Sequence, residues 1–251
     1  MTKGSRLTYV DKSHADVPEL FATTWRACDR VPGWLTREQA YDLWSAARAL
    51  PANAIVVEIG SHHGRSTIAL GAGARLAGAT VVAVDPFVEG RMFGGQRTRE
   101  LFEKNVAKAG LGAIVRLEAD YSRNVLTRWN GQVDLLYVDG KHDYWSCTSD
   151  LGWIGHMPDG SRIYVHDAFS SVGVPASLVG QMLRPRTRLR YRGRTGSLAA
   201  FVKGRPSVKE RLAVTRELGW FSKNLVIKVL LRLRLRVAAR ALGHRSPVDP
   251  Y

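Results

Sequence analysis

The 251-residue sequence contains little cysteine and no long apolar run. Its two cysteines, Cys28 and Cys147, lie far apart and form no CxxC pair, which indicates two reduced structural thiols in a cytoplasmic protein. No stretch of about 20 uncharged apolar residues is present, so we expect no membrane-spanning helix. Residues 1–10 are polar and charged and lack an apolar core, so we expect no signal peptide.

Acidic residues are scarce in the last part of the chain. Residues 1–180 contain 19 Lys and Arg against 19 Asp and Glu, whereas residues 181–251 contain 18 against 3. The C-terminal part therefore carries the whole net charge of +15. A neutral body with a basic tail predicts that the tail meets an anionic surface or partner.

Short β-branched runs alternate with helical patterns through most of the chain. This alternation predicts a parallel sheet with helices on both faces. Two later extended segments, 186–192 and 197–202, are joined by a glycine-containing turn and predict an antiparallel pair. The predicted fold class is therefore α/β, with a doubly wound, mostly parallel sheet of seven strands. The predicted parallel strands are 55–57, 80–85, 113–117, 133–138 and 162–165.

Two helices are predicted before the first strand. The first spans residues 18–30. The second begins after Thr36, because Thr36 and Gln39 have the spacing of a capping box. Its apolar face consists of Ala40, Leu43, Trp44 and Ala47. The predicted parts of the chain are an N-terminal helical lead-in (1–50), a central domain (51–205) and a basic amphipathic tail (206–251).

The first strand leads through a glycine turn into a helix. Glu58 and Gly60 stand at the end of the strand, and Gly64 and Ser66 precede an Ala- and Leu-rich helical segment. Glycine lets the backbone approach a ligand closely, and a helix N-terminus offers unpaired N–H groups. The spacing Gly-x-x-x-Gly after an acid differs from the Gly-x-Gly-x-x-Gly of dinucleotide folds. A tight strand–helix turn without a ligand is the alternative.

An aspartate follows each of the other parallel strands. Taken singly, each aspartate would more often be a helix cap or a solvated loop residue. Ligands of parallel sheets bind beyond the C-terminal strand ends, so four acids at that edge indicate a binding site. These acids are Asp85, Asp120, Asp139 and Asp167. In addition, His142 completes an Asp-x-x-His pattern with Asp139, and His166 precedes Asp167.

Taken together and in order, these motifs resemble those of class I S-adenosylmethionine (SAM) methyltransferases. The likeness is to the family that includes the macrocin and mycinamicin sugar O-methyltransferases and the cephalosporin-hydroxylase-like proteins. It covers residues 33–203 and implies that 51–205 form a Rossmann-like, SAM-binding methyltransferase domain. The implied activity is O-methylation of a hydroxyl on a small-molecule, sugar or glycolipid acceptor. The motifs that carry the likeness are 57–60, 64–67, 137–144, 158–160 and 165–167.

The resemblance also implies which residues bind the cofactor. Asp85 would accept hydrogen bonds from the ribose hydroxyls, Ser66 would bind the methionine carboxylate, and Asp120 would lie beside the adenine. His62 and His63 are predicted to form part of the pocket wall. The full set of predicted cofactor-binding residues is Glu58, Gly60, Ser61, Gly64, Ser66, Asp85, Asp120, Tyr121, Ser122 and Asp139.

At the acceptor end, the resemblance implies that His142 is a general base, with Asp139 and Asp167 as further catalytic residues. In metal-dependent relatives these two carboxylates hold Mg²⁺, but two adjacent ligands usually follow the fifth strand, where this chain has His166 and Asp167. His166 would suit Mn²⁺, Zn²⁺ or Fe²⁺ better than Mg²⁺. Alternatively, His166 is a buried, hydrogen-bonded residue and Asp167 orients the acceptor directly. The need for Mg²⁺ or another divalent cation is therefore left open.

The basic tail has the pattern of an amphipathic helix over residues 223–242. Its basic residues recur every four positions, and an apolar face lies opposite, which predicts peripheral binding to an anionic membrane. Alternatively, the apolar face packs on the body or on a second copy of the chain, or residues 230–236 form a strand. Nucleic acid is a less favoured partner than a membrane, since Trp220 and Phe221 flank the basic residues without interleaving them. The basic residues are Lys228, Arg232, Arg236 and Arg240.

Two other functions remain open at this point. An RNA methyltransferase would use the basic tail, although its basic surface should then extend over the neutral body. A SAM-binding protein without activity is the other alternative.

Overall fold

The computed structural model describes residues 19–90 and 94–243. The start of the predicted lead-in (1–18), residues 91–93 and the end of the tail (244–251) lie outside the described residues. The strands are β1 Ile55–Ile59, β2 Thr80–Val84, β3 Val115–Glu118, β4 Leu135–Val138, β5 Arg162–Val165, β6 Leu189–Thr195 and β7 Leu198–Lys203. The helices are α1 Glu19–Asp29, α2 Arg37–Arg48, α3 Arg65–Ala77, α4 Gln96–Lys108, α5 Ser122–Thr127, α6 Tyr144–Asp150, α7 Gly173–Leu183, α8 Val208–Arg232 and α9 Arg236–Ala241, with a 3-10 helix at Leu151–His156.

The seven strands form one sheet in the order β3-β2-β1-β4-β5-β7-β6. The strands β1 to β5 pair in parallel, and β7 pairs antiparallel with both β5 and β6. The predicted fold class is therefore confirmed. The strand order reverses between β1 and β4, and the crevice beyond such a reversal is where ligands of open α/β sheets bind.

Hydrophobic layers cover both faces of the sheet. Successive side chains of a strand point to opposite faces, so Val56 packs into the layer that contains α1, α2 and α3, and Val57 packs into the layer of α6 and α7. Trp44 of α2 is buried in the first layer, and Trp153 in the second. The N-terminal helices thus share one core with the sheet, and residue 50 marks no break in packing.

The capping box predicted before α2 is present. The Thr36 side chain accepts from the Gln39 N–H at 3.3 Å, and the Gln39 side chain accepts from the Thr36 N–H at 3.0 Å. The four residues predicted for the apolar face of α2 are all buried. This cap fixes where α2 begins and therefore which of its side chains reach the sheet.

The tail differs from its prediction. The predicted helix over 223–242 is broken, because α8 ends at Arg232 and α9 begins at Arg236, with Arg234 between them at a φ of 60°. The every-fourth-residue basic pattern therefore does not run along one continuous helix. The alternative of a strand over 230–236 is also wrong, since these residues are helix and turn. In the described ranges, no helix has the length and apolar character needed to cross a membrane.

Candidate active site

A cavity of about 1120 Å³ lies at the C-terminal edge of the parallel strands. Backbone hydrogen bonds continue past the strand ends and hold the residues that line the cavity there. The Gly60 N–H donates to the Val84 carbonyl, the Asp139 N–H to the Ile59 carbonyl, and the His166 N–H to the Val138 carbonyl. The cavity brings together most of the residues predicted from sequence. Those lining it are Gly60, Ser61, His62, His63, Ser66, Asp85, Tyr121, Ser122, Asp139, His142, His166 and Asp167.

Glu58 was predicted to bind cofactor but does not line the cavity. It lies inside β1 and is completely buried, and its carboxylate accepts hydrogen bonds from the hydroxyls of Ser61, Ser66 and Thr67 at 3.0, 2.5 and 2.5 Å. Burial raises the pKa of Glu58 to about 7 despite these three hydrogen bonds. Glu58 therefore ties the glycine turn and the start of α3 to the strand.

Two more predicted cofactor residues lie outside the cavity lining. The Asp120 carboxylate pairs with Arg128 at 2.8 Å and accepts from Asn124 at 2.8 Å, so it closes the loop before α5. Gly64 is the N-cap of α3 at a φ of 89°, and a Cβ there would approach the Phe102 ring to 3.3 Å. Both residues shape the elements around the cavity.

Gly60 brings the glycine turn close to the neighbouring strand. Its φ is 84°, and a Cβ at this position would lie 2.2 Å from the backbone oxygen of Asp139. No side chain fits between the two strands here, so glycine is required by both conformation and space.

Asp85 holds the glycine turn from the adjacent strand. One carboxylate oxygen accepts from the N–H groups of Ser61 and His62 at 3.0 and 2.9 Å, and the other accepts from the Phe87 N–H at 2.9 Å. A carboxylate has about four acceptor positions, so about one remains for a ligand hydroxyl on the cavity side. Asp85 therefore both supports the turn and can bind a ligand.

Two imidazoles and two carboxylates meet at the ends of β4 and β5. His142 lies between the carboxylates, with Nε2 3.5 Å from Asp139 and Nδ1 3.4 Å from Asp167. His166 Nδ1 lies 3.3 Å from the same Asp139 oxygen and 3.6 Å from Asp167. Asp167 has a φ of 50° and accepts from the Ser170 hydroxyl at 2.5 Å. The three residues predicted as catalytic are therefore brought together.

Hydrogen bonding assigns a proton to both nitrogens of His166. Gln39 Nε2 donates to the Thr195 carbonyl and to Ser197, both at 3.1 Å, so Gln39 Oε1 is the acceptor that faces His166 Nε2 at 3.3 Å. The other nitrogen, Nδ1, faces the Asp139 carboxylate, which only accepts. Both nitrogens must donate, and His166 is an imidazolium.

The pKa shifts agree with this assignment. Burial opposes the charged form of His166, but the carboxylates of Asp139 and Asp167 outweigh it and raise the pKa of His166 to about 9. Burial likewise opposes ionised Asp139, yet His166 and His142 hold its pKa well below the usual range. The hydrogen bond to Asp139 raises the pKa of His142 above its ordinary value of 6.5, although desolvation acts against this.

A metal ion at Asp139, Asp167 and His166 does not fit this arrangement. Within residues 19–90 and 94–243, no group of three or more His, Cys, Asp or Glu side chains could hold a metal ion. Asp139 already accepts from the Tyr137 hydroxyl at 2.9 Å as well as from imidazole. A doubly protonated imidazole has no lone pair for a ligand bond. His166 is instead the buried, hydrogen-bonded residue that the alternative interpretation described.

Several residues of the site were not predicted. Gln39 was identified only as a capping residue, but it also orients His166, and no local pattern links residues 127 positions apart. Trp34 and Trp145 line the cavity although 68% and 78% of their surfaces are exposed. Asp150 also lines it, and burial raises its pKa to about 6 while Ser122 donates to it. Tryptophans next to predicted motifs, as Trp34 and Trp145 are, were a signal in the sequence that could have identified these cavity residues.

Comparisons with known proteins agree with this fold. A family model described as a methyltransferase domain matches residues 57–168. The solved structure of cofactor-bound Rv0187 from MTB is 20% identical, with a TM-score of 0.59, over 79% of this chain and 95% of that chain. An O-methyltransferase from Bacillus cereus in complex with SAH is 17% identical, with a TM-score of 0.56, over 76% of this chain and 94% of that one.

A third similar structure is the O-methyltransferase TomG from Streptomyces achromogenes, involved in tomaymycin synthesis and solved in complex with SAM. It is 18% identical, with a TM-score of 0.54, over 75% of this chain and 91% of that chain. At these identities the structural likeness establishes the fold, and the family model matches a little under half of the chain.

Proposed function

We propose that the chain is a class I SAM-dependent methyltransferase that methylates a hydroxyl group of a sugar or another small-molecule acceptor, since a methyltransferase-domain model matches residues 57–168 and the fold is that of solved O-methyltransferases. The observation that carries this proposal is the position of His142. It lines the cavity between the carboxylates of Asp139 and Asp167, where a base that removes a hydroxyl proton is needed.

The cavity suits SAM at the end nearer α3. Helix α3 begins at Gly64 without a side-chain cap, so its first N–H groups are suited to the methionine carboxylate. The Ser66 hydroxyl already donates to Glu58, which leaves its oxygen as an acceptor for the methionine ammonium group. Asp85 offers its remaining acceptor position to a ribose hydroxyl. Ser122 and Asp150 provide acceptors for the adenine amino group.

When bound, SAM supplies a methyl group attached to a positively charged sulfur, and this sulfur is a good leaving group. The protein therefore needs to align the acceptor hydroxyl and remove its proton. His142 takes that proton as neutral imidazole. Asp139 and Asp167 orient the ring and stabilise the imidazolium that forms. Nε2 lies 3.5 Å from Asp139 and Nδ1 lies 3.4 Å from Asp167, so both ring nitrogens face carboxylates at the edge of hydrogen-bond distance.

The charge balance at this site supports a mechanism without a metal ion. His166, as an imidazolium, neutralises one of the two carboxylates and keeps Asp139 ionised beside His142. We therefore expect EDTA to leave turnover unchanged.

Two exposed tryptophans support a ring-shaped acceptor. Trp34 and Trp145 line the cavity, and exposed aromatic surface at a binding site offers flat apolar area to a ligand. A sugar or aromatic ring would cover this surface. We propose that the two side chains contact the acceptor, so Trp145→Ala should raise the acceptor KM and leave the SAM Kd unchanged.

The test is turnover of methyl-labelled SAM against a panel of sugars, glycolipids and aromatic hydroxyl compounds. The proposal expects labelled product from one of these classes with the wild type. His142→Ala should lose turnover and keep SAM affinity, whereas His156→Ala, a histidine outside the cavity lining, should keep both. Labelling of RNA instead would favour the RNA methyltransferase alternative. SAM binding without turnover of any acceptor would favour the inactive alternative.

A further inference from the structure

The C-terminal part of α8 and the α9 segment expose a group of large apolar side chains. Scattered exposed apolar residues are normal, but a contiguous group on one element marks an interaction surface. We call these residues the α8–α9 surface. They are Leu225, Val226, Val229, Leu233, Leu235 and Val237, and their exposed fractions range from 39% to 81%.

This surface is not the side of α8 that packs on the protein. The packed side carries the buried Asn224 and Ile227, and Lys228 Nζ on the same side donates to the Ser170 carbonyl at 3.2 Å. Val226 and Val229 are three residues apart and both about half exposed, which places them together on the outward side of the helix. Among the described residues, the body of the protein therefore leaves this apolar face uncovered.

The charge around the surface is of one sign. Residues 218–243 contain six basic residues and no acidic residue. Arg232, Arg234 and Arg236 alternate with Leu233 and Leu235, so basic and apolar side chains are interleaved at the end of α8. This composition complements a partner that is both apolar and anionic.

We propose that the α8–α9 surface docks on an anionic lipid bilayer. The exposed leucines and valines would enter the boundary between headgroups and acyl chains, and the arginines would contact lipid phosphates. The break at Arg234 divides the surface between the C-terminal part of α8 and the six-residue helix α9. The segment lies on the membrane in this arrangement and does not cross it, in agreement with its length and charge.

The charges argue against the other occupants. A second copy docked through the same surface would bring the basic residues of the two chains together, which repel. RNA would satisfy the arginines but would leave the apolar side chains exposed. Trp220 and Phe221, the nearest aromatic residues, pack against the hydrophobic core and are not presented for base stacking.

The test is co-sedimentation of the full chain with vesicles at low salt. One set contains phosphatidylglycerol and phosphatidylcholine, and the other contains phosphatidylcholine alone. Binding should be strong to the first set, weak to the second, and should decrease as salt shortens the Debye length. Equal binding to both sets, or no binding to either, would overturn the proposal.

Variants separate the apolar and the basic contributions. Arg232→Gln, Arg234→Gln and Arg236→Gln together should weaken binding about a hundredfold, which is about fivefold per arginine. Val226→Ser, Val229→Ser and Leu233→Ser together should also weaken it about a hundredfold. Val208→Ser is the matched control, because Val208 is a more exposed valine about 27 Å away along the same helix. It should bind like the wild type.

Folding and the other occupants are checked on the same variants. SAM affinity and thermal stability should be unchanged in all of them, since the substituted side chains are exposed. A concentration-dependent dimer that the serine variants abolish, seen by analytical ultracentrifugation, would show a second copy as the occupant. RNA binding that the serine variants retain and the glutamine variants lose would show nucleic acid. Either result would overturn the lipid assignment.

Discussion

His142 is the residue on which the proposed proton transfer depends. Its replacement by alanine should lower kcat by about 10²–10⁴ and leave the SAM Kd nearly unchanged, because the ring lies among acceptor-side carboxylates. The base must be neutral to accept a proton, and its pKa lies above 6.5. Turnover of the wild type should therefore rise with pH through a value above 6.5. The measurement is a pH profile of kcat alongside calorimetry of SAM binding.

Asp139→Asn checks the assignment of this pH dependence. The asparagine removes the hydrogen-bonding carboxylate that contributes most to raising the pKa of His142. The rise in turnover should then move to lower pH. A profile that stays in place would show that another group titrates, and His142 would be a positioning residue.

Glu58 should make stability depend on pH. Its pKa is about 7 in the folded protein against an ordinary 4.5, because burial disfavours the carboxylate. The folded state therefore binds more protons than the unfolded state between these values. The contribution of Glu58 to the free energy of unfolding should be highest below pH 4.5. It should fall as the pH rises to about 7 and then stay level. The contribution lost is on the order of 3 kcal/mol.

Glu58→Gln isolates this effect. Glutamine cannot ionise; its amide oxygen still accepts from hydroxyls, and its NH2 group donates to a hydroxyl that turns to accept. Denaturant unfolding of the variant should therefore show a smaller fall between pH 5 and 7. Glu103→Gln, at an exposed ion pair, is the matched control and should keep the wild-type slope. If Glu58→Gln keeps that slope too, another buried group is responsible.

The sequence located the site better than it assigned its individual residues. The strand-end acids Asp85, Asp139 and Asp167 all line the cavity, because parallel strands share one carboxyl edge. Glu58 does not line the cavity because β1 runs on to Ile59, which puts Glu58 inside the strand, where it accepts from Ser66 and Thr67 of α3. The protonated state of His166 depends on Gln39, a contact that only the packing of α2 against the sheet creates.

Element types were predictable where local signals are strong. Buried β-branched runs identified β1, β2 and β5, and the capping box identified α2. Helix α7 begins at Gly173, and the Gly and Pro in its first turn weaken the helical pattern there. The break between α8 and α9 has no glycine or proline to signal it, because Arg234 adopts the positive φ.

The start of α7 should control the position of His142. A Cβ at Gly173 would lie 2.5 Å from the His142 backbone oxygen and 2.7 Å from the Asp143 Cα, so either α7 or the His142 loop must shift. A displacement of about 1 Å can cost about 10²-fold in rate. Gly173→Ala should therefore lower kcat strongly and leave SAM binding intact. Single-turnover rates and SAM calorimetry measure the two effects.

Gly219→Ala is the matched substitution for this prediction. It also adds a Cβ to a helical glycine, but nothing lies within 4 Å of the added atom. It should keep full activity and stabilise α8 by up to about 1 kcal/mol. Equal activity in the two variants would show that the close contact at Gly173 does not position His142.

Over the whole molecule, helices before and after the central sheet contribute to the site. Helix α2 supplies Gln39 to His166, and α8 supplies Lys228 to the Ser170 carbonyl next to the Asp167 turn. Ion pairs of Glu210 with Arg190 and of Glu217 with Arg194 attach α8 to β6. The tail therefore has two parts with different roles: α8 packs on the catalytic body, and the α8–α9 surface faces away from it.

Two truncations should separate these roles. A chain ending at residue 233 keeps the packed side of α8, so it should retain wild-type stability, SAM affinity and turnover of a soluble acceptor.

A chain ending at residue 221 loses the buried Asn224 and Ile227 and the Lys228 hydrogen bond to the Asp167 turn. Loss of the isoleucine burial alone costs about 1.5–3 kcal/mol, which lowers Tm by roughly 3–12 °C in a chain of this size. Its turnover should fall as well, because the turn that carries Asp167 loses its support. The measurements are the calorimetric Tm and the turnover of the two truncated proteins. An equal Tm and equal turnover would mean that α8 beyond residue 221 does not stabilise the active site.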